Sequence, residues 1–346
     1  MKQRIAINGF GRIGRSVFRA WAIRPDAQEA LILTAINERA DRDTAIHLAR
    51  YDSTHGRFPS AIEATDTGMR VLDTEIELLS IEDVALLPWS DKAIDLVLEC
   101  TGSFSDRATA QEHLTAGADR VLFSQPAEPD VDLTVVWGIN HDKLQPQQRI
   151  VSAGSCTTNA LCPVLQVLDN CFGIEAGTVT TVHSAMNDQP VLDAYHNTDL
   201  RKTRAAFQSI IPVDTGLAIG VPRILPNLKG KLTAQALRVP TLNVSAMDVT
   251  VYTHKACNAE DVNAALAAAA SNDLEGILGF TTEPLASCDF NGETCSSVVD
   301  ASQTQVSAGH LIKILIWFDN EWAYANRLID IALRMGEMGR SSVSDS

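Results

Sequence analysis

The segment Arg4-Ile5-Ala6-Ile7-Asn8-Gly9-Phe10-Gly11-Arg12-Ile13-Gly14 constrains this chain more than any other. A short apolar run meets a G-x-G-x-x-G turn, and a helix-periodic stretch follows at once through Ala22. Each glycine then has its own reason. Gly9 permits a tight turn, Gly11 lets backbone come close to a pyrophosphate, and Gly14 lets helix and strand pack closely. The helix N-terminus adds N–H donors and positive potential. An ordinary strand–helix turn would carry the same glycines, so a second feature decides. Glu38, just past the apolar run Leu31–Ile36, stands where a carboxylate accepts the ribose hydroxyls of a dinucleotide. A carboxylate there repels a 2′-phosphate, which favours NAD over NADP.

At 346 residues the chain is long enough for two domains. Through the first part, apolar runs alternate with helical patterns: Arg4–Ile7, Arg12–Ala22, Leu31–Ile36, Asp95–Cys100, Arg107–Ala116, Val121–Ser124 and Thr134–Gly138. That alternation predicts an α/β fold, a doubly wound parallel sheet over residues 1–155. After Ser155 come longer strands rich in Val and Thr (Gly177–His183, Leu232–Arg238, Met247–Thr253), which predict a mixed or antiparallel sheet in an α+β domain over 156–318. Asn258 reads as the cap of an alanine-rich helix through Ala270, His310–Phe318 as a buried strand, and Glu321–Met338 as a helix. The polar stretch from Ser184 to Gln208 is too long for a routine connection, and points to function or an interface.

A net charge of −15 argues against nonspecific nucleic-acid binding, which needs a basic surface to displace counterions. No apolar run approaches the length of a membrane span. The first residues run directly into the strand and glycine turn, without a targeting pattern, so a cytoplasmic location is expected. The seven cysteines (100, 156, 162, 171, 257, 288 and 295) lack zinc-site spacing and predict free thiols with no metal. An acidic chain that takes anionic ligands must hold them with local helix termini and placed cations.

Ser155-Cys156-Thr157-Thr158-Asn159 follows the run Arg149–Ser152 and opens an apolar-periodic segment, which puts Cys156 at a helix start with Ser155 at the N-cap. A helix N-terminus together with a neighbouring imidazolium lowers a thiol's pKa and makes it a nucleophile. Cys100, Cys162 and Cys171 read instead as small buried hydrophobes. His183 ends a strand and enters the long polar loop, where it could serve as the base. Seven other histidines (47, 55, 113, 141, 196, 254 and 310) compete, and spacing does not choose among them.

Together the segments INGFGRIGR, YDSTHGRF, LECTG, SCTTN, TTVHS, IIPVDTG, RVPTLNVS and WFDNEW resemble the glyceraldehyde-3-phosphate dehydrogenase superfamily over nearly the whole chain. The resemblance implies a Rossmann domain over 1–155 completed by a C-terminal helix (319–346), a catalytic domain over 156–318, and a homotetramer. It implies that Cys156 attacks an aldehyde, that His183 takes the proton, and that a hydride passes to NAD. By position, Gly9, Gly11, Arg12, Ile13, Gly14, Glu38, Thr101, Ser124 and Asn320 would meet the cofactor, Arg12 and Ile13 at the pyrophosphate and Asn320 at the nicotinamide carboxamide. Ser155, Thr157, Lys202, Thr215, Gly216 and Arg238 would hold an anionic sugar-phosphate substrate.

Within the superfamily, the loop HSAMNDQPVLDAYH and the following DLRKTRAAFQSIIPVDTG resemble the branch that acts on erythrose 4-phosphate. Met186 stands where glycolytic members commonly carry threonine, and Asp214 beside Thr215 would disfavour an incoming phosphate. The expectation is oxidation of D-erythrose 4-phosphate to 4-phosphoerythronate with water as acyl acceptor, a step of pyridoxal 5′-phosphate synthesis. The alternatives are a phosphorylating glyceraldehyde-3-phosphate dehydrogenase and a catalytically silent NAD-binding interaction protein. Lys202 stands where relatives often have arginine, so it would bind phosphate as a point charge without a planar fork.

Overall fold

The computed structural model describes residues 2–196 and 198–344, with 339–344 described by their backbone. The chain divides into two units, Met1–Ser155 with Ala325–Ser346, and Cys156–Tyr324.

Among the described residues, the first unit holds a nine-stranded sheet in the order Leu133–Thr134, Ile150–Ser152, Arg120–Phe123, Leu96–Glu99, Gln3–Asn8, Leu31–Asn37, Thr74–Leu79, Gly68–Val71, Ile62–Ala64. The first seven run parallel, the Rossmann-like arrangement. Strands covered on both faces must be apolar throughout, and Ile5, Ile7, Leu33, Ile36 and Leu98 are indeed fully buried. Gln3–Asn8 pairs with Leu31–Asn37 on one side and Leu96–Glu99 on the other, so the strand order reverses there. The carboxyl ends of these three strands frame the crevice where doubly wound sheets bind ligands.

Two expectations change. The strand expected over Thr134–Gly138 is confined to Leu133–Thr134, because the Asn140 side chain captures the backbone beyond it, accepting from Val136 N at 2.7 Å and donating to the Thr134 carbonyl at 2.9 Å. The antiparallel margin formed by Gly68–Val71 and Ile62–Ala64 is additional. These strands are only four and three residues long, which leaves little periodicity to read.

The C-terminal helix spans Trp322–Ser344, where periodicity predicts Glu321–Met338 and the resemblance implies 319–346, and the second unit runs to Tyr324. From Ala325 the helix belongs to the first unit. Arg24 pairs with Asp330 at 2.8 Å, and a Cβ added at Gly336 would stand 2.6 Å from Gln3 Oε1. A side chain at that position would require the Gln3 amide to shift.

The second unit holds a mixed sheet ordered Ile211–Val213, Leu232–Arg238, Ile174–His183, Ser245–Thr253, Leu311–Phe318, Ser297–Ser307, Leu278–Thr281. Helix Ala259–Ala270 carries the expected Asn258 cap, whose side chain accepts from Asp261 N while Asp261 accepts from Asn258 N. Parallel pairing puts His183 beside Arg238, and antiparallel pairing puts Ser245 beside Phe318. These registers bring together residues widely separated in the chain.

Candidate active site

In the first unit, a cleft of about 270 Å³ is lined by the expected Gly9, Gly11, Glu38 and Thr101, together with Asn8 and Asn37. Gly9 has φ +91°, and a Cβ there would stand 2.6 Å from Thr101 N, so the turn admits no side chain. A Cβ on Gly14 would meet the Gly9 carbonyl at 2.1 Å, which makes Gly14 a packing residue. At Gly11 an added Cβ would meet nothing within 4 Å. That open side, facing the start of helix Arg12–Ile23, suits the close passage of a ligand's pyrophosphate. Glu38 is oriented by backbone: Oε2 accepts from Phe10 N and Oε1 from Arg39 N, both at 2.8 Å.

Arg12, expected on the pyrophosphate, is ion-paired with Asp52. Burial alone would raise the Asp52 pKa, but donation from His55 N, the Arg12 guanidinium and Thr54 N takes it down to about 2. Arg12, Ile13, Gly14 and Ser124 do not line the cleft.

Beneath the cleft lies a buried network that sequence reading missed, although LECTG contained its centre. Glu99 and His113 are both fully buried. The Trp89 indole N–H donates to His113 Nδ1 at 3.0 Å, so Nε2 carries the proton that reaches Glu99 Oε2 at 3.1 Å. Asn8 Nδ2 donates to the same oxygen at 2.6 Å, while Thr101 donates its N–H (2.9 Å) and hydroxyl to Oε1. Four donors saturate one carboxylate and fix Asn8 and Thr101, two residues of the cleft wall.

In the second unit, Cys156 is the first residue of helix Cys156–Phe172, directly after Ser155 and before Thr157. Its Sγ lies 3.9 Å from His183 Nε2, so the fold brings this histidine to the thiol. His183 Nδ1 donates to the Ser184 carbonyl at 2.8 Å, leaving Nε2 unprotonated and facing the thiol. The expected thiol acidity is corrected. Loss of solvent around the thiol pushes Cys156 up to about 11, although Thr157 N–H and Arg238 pull it down. Burial pushes His183 down to about 4, against the hydrogen bond to Ser184. The resting pair is therefore thiol and neutral imidazole, in which the ring acts as a base when the sulfur reacts.

Asn320 Oδ1 accepts from Ser184 Oγ (3.1 Å) and Ser245 Oγ (2.9 Å), so its amide nitrogen is the group left to donate elsewhere. Thr215 Oγ1 accepts from Leu217 N at 3.2 Å and precedes helix Leu217–Ile224 together with Gly216. A Cβ added at Gly220 would stand 3.1 Å from Thr158 Cγ2, which places this helix against the first turn of the nucleophile's helix. Asp214 is exposed, and solvent weakens the repulsion expected of it.

Lys202 and Arg238 converge, but on a carboxylate. Lys202 Nζ lies 2.8 Å from Asp188 Oδ2, and Arg238 Nη1 lies 3.1 Å from Asp188 Oδ1 and 3.2 Å from Gln189 Oε1. Burial raises and the two cations lower the Asp188 pKa, and the cations prevail. Asp188 lay within the loop singled out in the sequence without any signal that marked it.

Among the described residues no cysteine forms a disulfide. Cys100 and Cys162 are buried as expected, while Cys171 is exposed, because it falls in the last turn of its helix on the outward side. Among the described residues no group of three His, Cys, Asp or Glu side chains could hold a metal ion, and no helix is long and apolar enough to cross a membrane.

Residues 3–107 match the family model for the NAD binding domain of glyceraldehyde 3-phosphate dehydrogenase. Residues 155–320 match the model for the C-terminal domain of the same enzyme.

Proposed function

Since the chain belongs to the glyceraldehyde 3-phosphate dehydrogenase family and carries its NAD-binding domain, we propose that it oxidises D-erythrose 4-phosphate to 4-phosphoerythronate by covalent catalysis. The observation that carries the chemistry is the 3.9 Å approach of Cys156 Sγ to an unprotonated His183 Nε2. Sγ adds to the aldehyde carbon while His183 takes the thiol proton, giving a thiohemiacetal. NAD, when bound, supplies the hydride acceptor. Water then cleaves the thioester, so that aldehyde, NAD and water yield the carboxylate, NADH and two protons.

In this reading Gly9, Gly11, Glu38 and Thr101 hold the dinucleotide, Arg12, Ile13 and Ser124 support that site, and Asn320 donates to the nicotinamide carboxamide. Ser155, Thr157, Thr215 and Gly216, at helix starts, would receive anionic oxygens. Lys202 and Arg238 line the substrate side. The chain would act as a homotetramer in the cytoplasm, within pyridoxal 5′-phosphate synthesis.

The four-carbon substrate is favoured by two features near the base. Met186, 45% exposed, offers no hydroxyl, and Asp188 occupies both cations that a shorter substrate's phosphate would need. The family name favours glyceraldehyde 3-phosphate as the second reading. NADH formation with each aldehyde, with and without inorganic phosphate, tests the two. Faster, phosphate-requiring turnover of the three-carbon substrate overturns the proposal, and full activity in Cys156→Ser overturns the mechanism.

A further inference from the structure

Resting on that reading, we infer that Asp188 is a specificity-determining residue that makes the Arg238–Lys202 corner accept a hydroxylated carbon and reject a phosphate.

His183 and Arg238 are register partners on adjacent parallel strands, so Arg238 stands beside the base at the edge of the reaction site. Its side chain is only 11% exposed, and such a cation needs an anion or strong acceptor. Asp188 supplies one from the loop that begins at Ser184, and Lys202 reaches the same carboxylate from the 3-10 turn Leu200–Thr203. Gln189 helps to shape the corner, because its Oε1 accepts from both Arg238 and Met186 N.

The chemistry of selection follows from charge and donor type. A phosphate dianion approaching Arg238 must displace Asp188 or lie against it, and two anions in contact repel strongly where water is partly excluded. A hydroxyl meets no such conflict, since it can donate to Asp188 and accept from the guanidinium. An aldose phosphate with a hydroxylated carbon at this corner, and its phosphate one carbon further from the aldehyde, is therefore preferred over one whose phosphate falls here. Discrimination of this kind works by an unfavourable contact with the wrong substrate.

The test uses the full-length chain with Asp188→Asn and, as a second variant, Asp188→Ser, each checked for NAD binding as evidence of folding. Expected in both variants is a drop of at least about tenfold in the ratio of kcat/KM for erythrose 4-phosphate to that for glyceraldehyde 3-phosphate, through a lower KM for the shorter substrate. Inorganic phosphate should also protect Cys156 from iodoacetamide at concentrations about tenfold lower than in the parent chain. An unchanged ratio, or an equal loss on both substrates, overturns the inference. If the parent chain oxidises neither aldehyde, the proposed function fails instead. The protection assay then decides the role of Asp188 alone: unchanged phosphate protection counts against it, and stronger protection supports it.

Discussion

Ser184 Oγ donates to Asn320 Oδ1 at 3.1 Å, and this contact joins the end of the base-bearing strand to the segment before the C-terminal helix. The carbonyl of the same serine accepts the Nδ1 proton of His183 at 2.8 Å. One residue therefore sets the tautomer of the base and the orientation of the amide proposed to meet the nicotinamide. Ser245 seconds it, accepting from Ser184 N at 3.1 Å and donating to the same amide oxygen.

Ser184→Ala should loosen the amide while leaving the carbonyl's hold on His183 in place. Loss of one such hydrogen bond costs about 0.5–1.5 kcal/mol, or roughly two- to tenfold. The expected result is a rise of that size in the KM for NAD with a smaller change in kcat, and Ser184→Ala with Ser245→Ala should exceed either alone. Steady-state kinetics at varied NAD checks this; an unaltered KM in the double variant would remove the role assigned to the serines.

Burial holds His183 at about 4 against an ordinary 6.5, so between those values the unfolded chain binds more protons than the folded one. Stability therefore falls as pH drops from about 6.5 through 4 and levels off below, by up to about 3 kcal/mol. His183→Gln lacks this contribution. Thermal melting at pH 7 and pH 5 should show a larger loss of Tm in the parent chain than in the variant, and matching losses would refute the assignment.

The glycine turn offers two substitutions with opposite outcomes. Gly11→Ala adds a methyl where the protein places no atom within 4 Å, so folding should survive while NAD affinity falls about tenfold or more, as the backbone loses close approach. Gly14→Ala would put its methyl 2.1 Å from the Gly9 carbonyl. Overpacking of this kind costs about 1–3 kcal/mol, visible as a lower denaturation midpoint. A Gly11 variant with unimpaired NAD binding would exclude pyrophosphate passage at that face.

Glu99 is saturated by donors from Asn8, His113 and Thr101. Glu99→Gln turns one acceptor oxygen into an amide NH2 facing those donors, leaving buried groups unpaired at a cost of about 1–3 kcal/mol. Chemical denaturation should show that loss, together with weaker NAD binding as Asn8 and Thr101 lose their fixed positions. Weakened stability with unaltered NAD affinity would reduce Glu99 to a fold-supporting residue.

Local chemistry was legible from the sequence. The turn at Gly9 needs a residue that tolerates φ +91°, the helix at Cys156 follows from an apolar period after SCTTN, and the Asn258 cap needs only its neighbour Asp261. Each depends on residues adjacent in the chain, so spacing carries the information, and the quoted motifs extended it to the family. What only the tertiary structure decided was which distant groups meet and how water is excluded from them. Strand register brought Arg238 beside His183, and chain folding set Cys156 3.9 Å from that ring. The loop carried Asp188 to the two cations. Burial then reversed the expected acidity of the thiol, because desolvation outweighs the helix start and the nearby guanidinium. Contact and burial are properties of packing across the whole unit, and no local spacing encodes them.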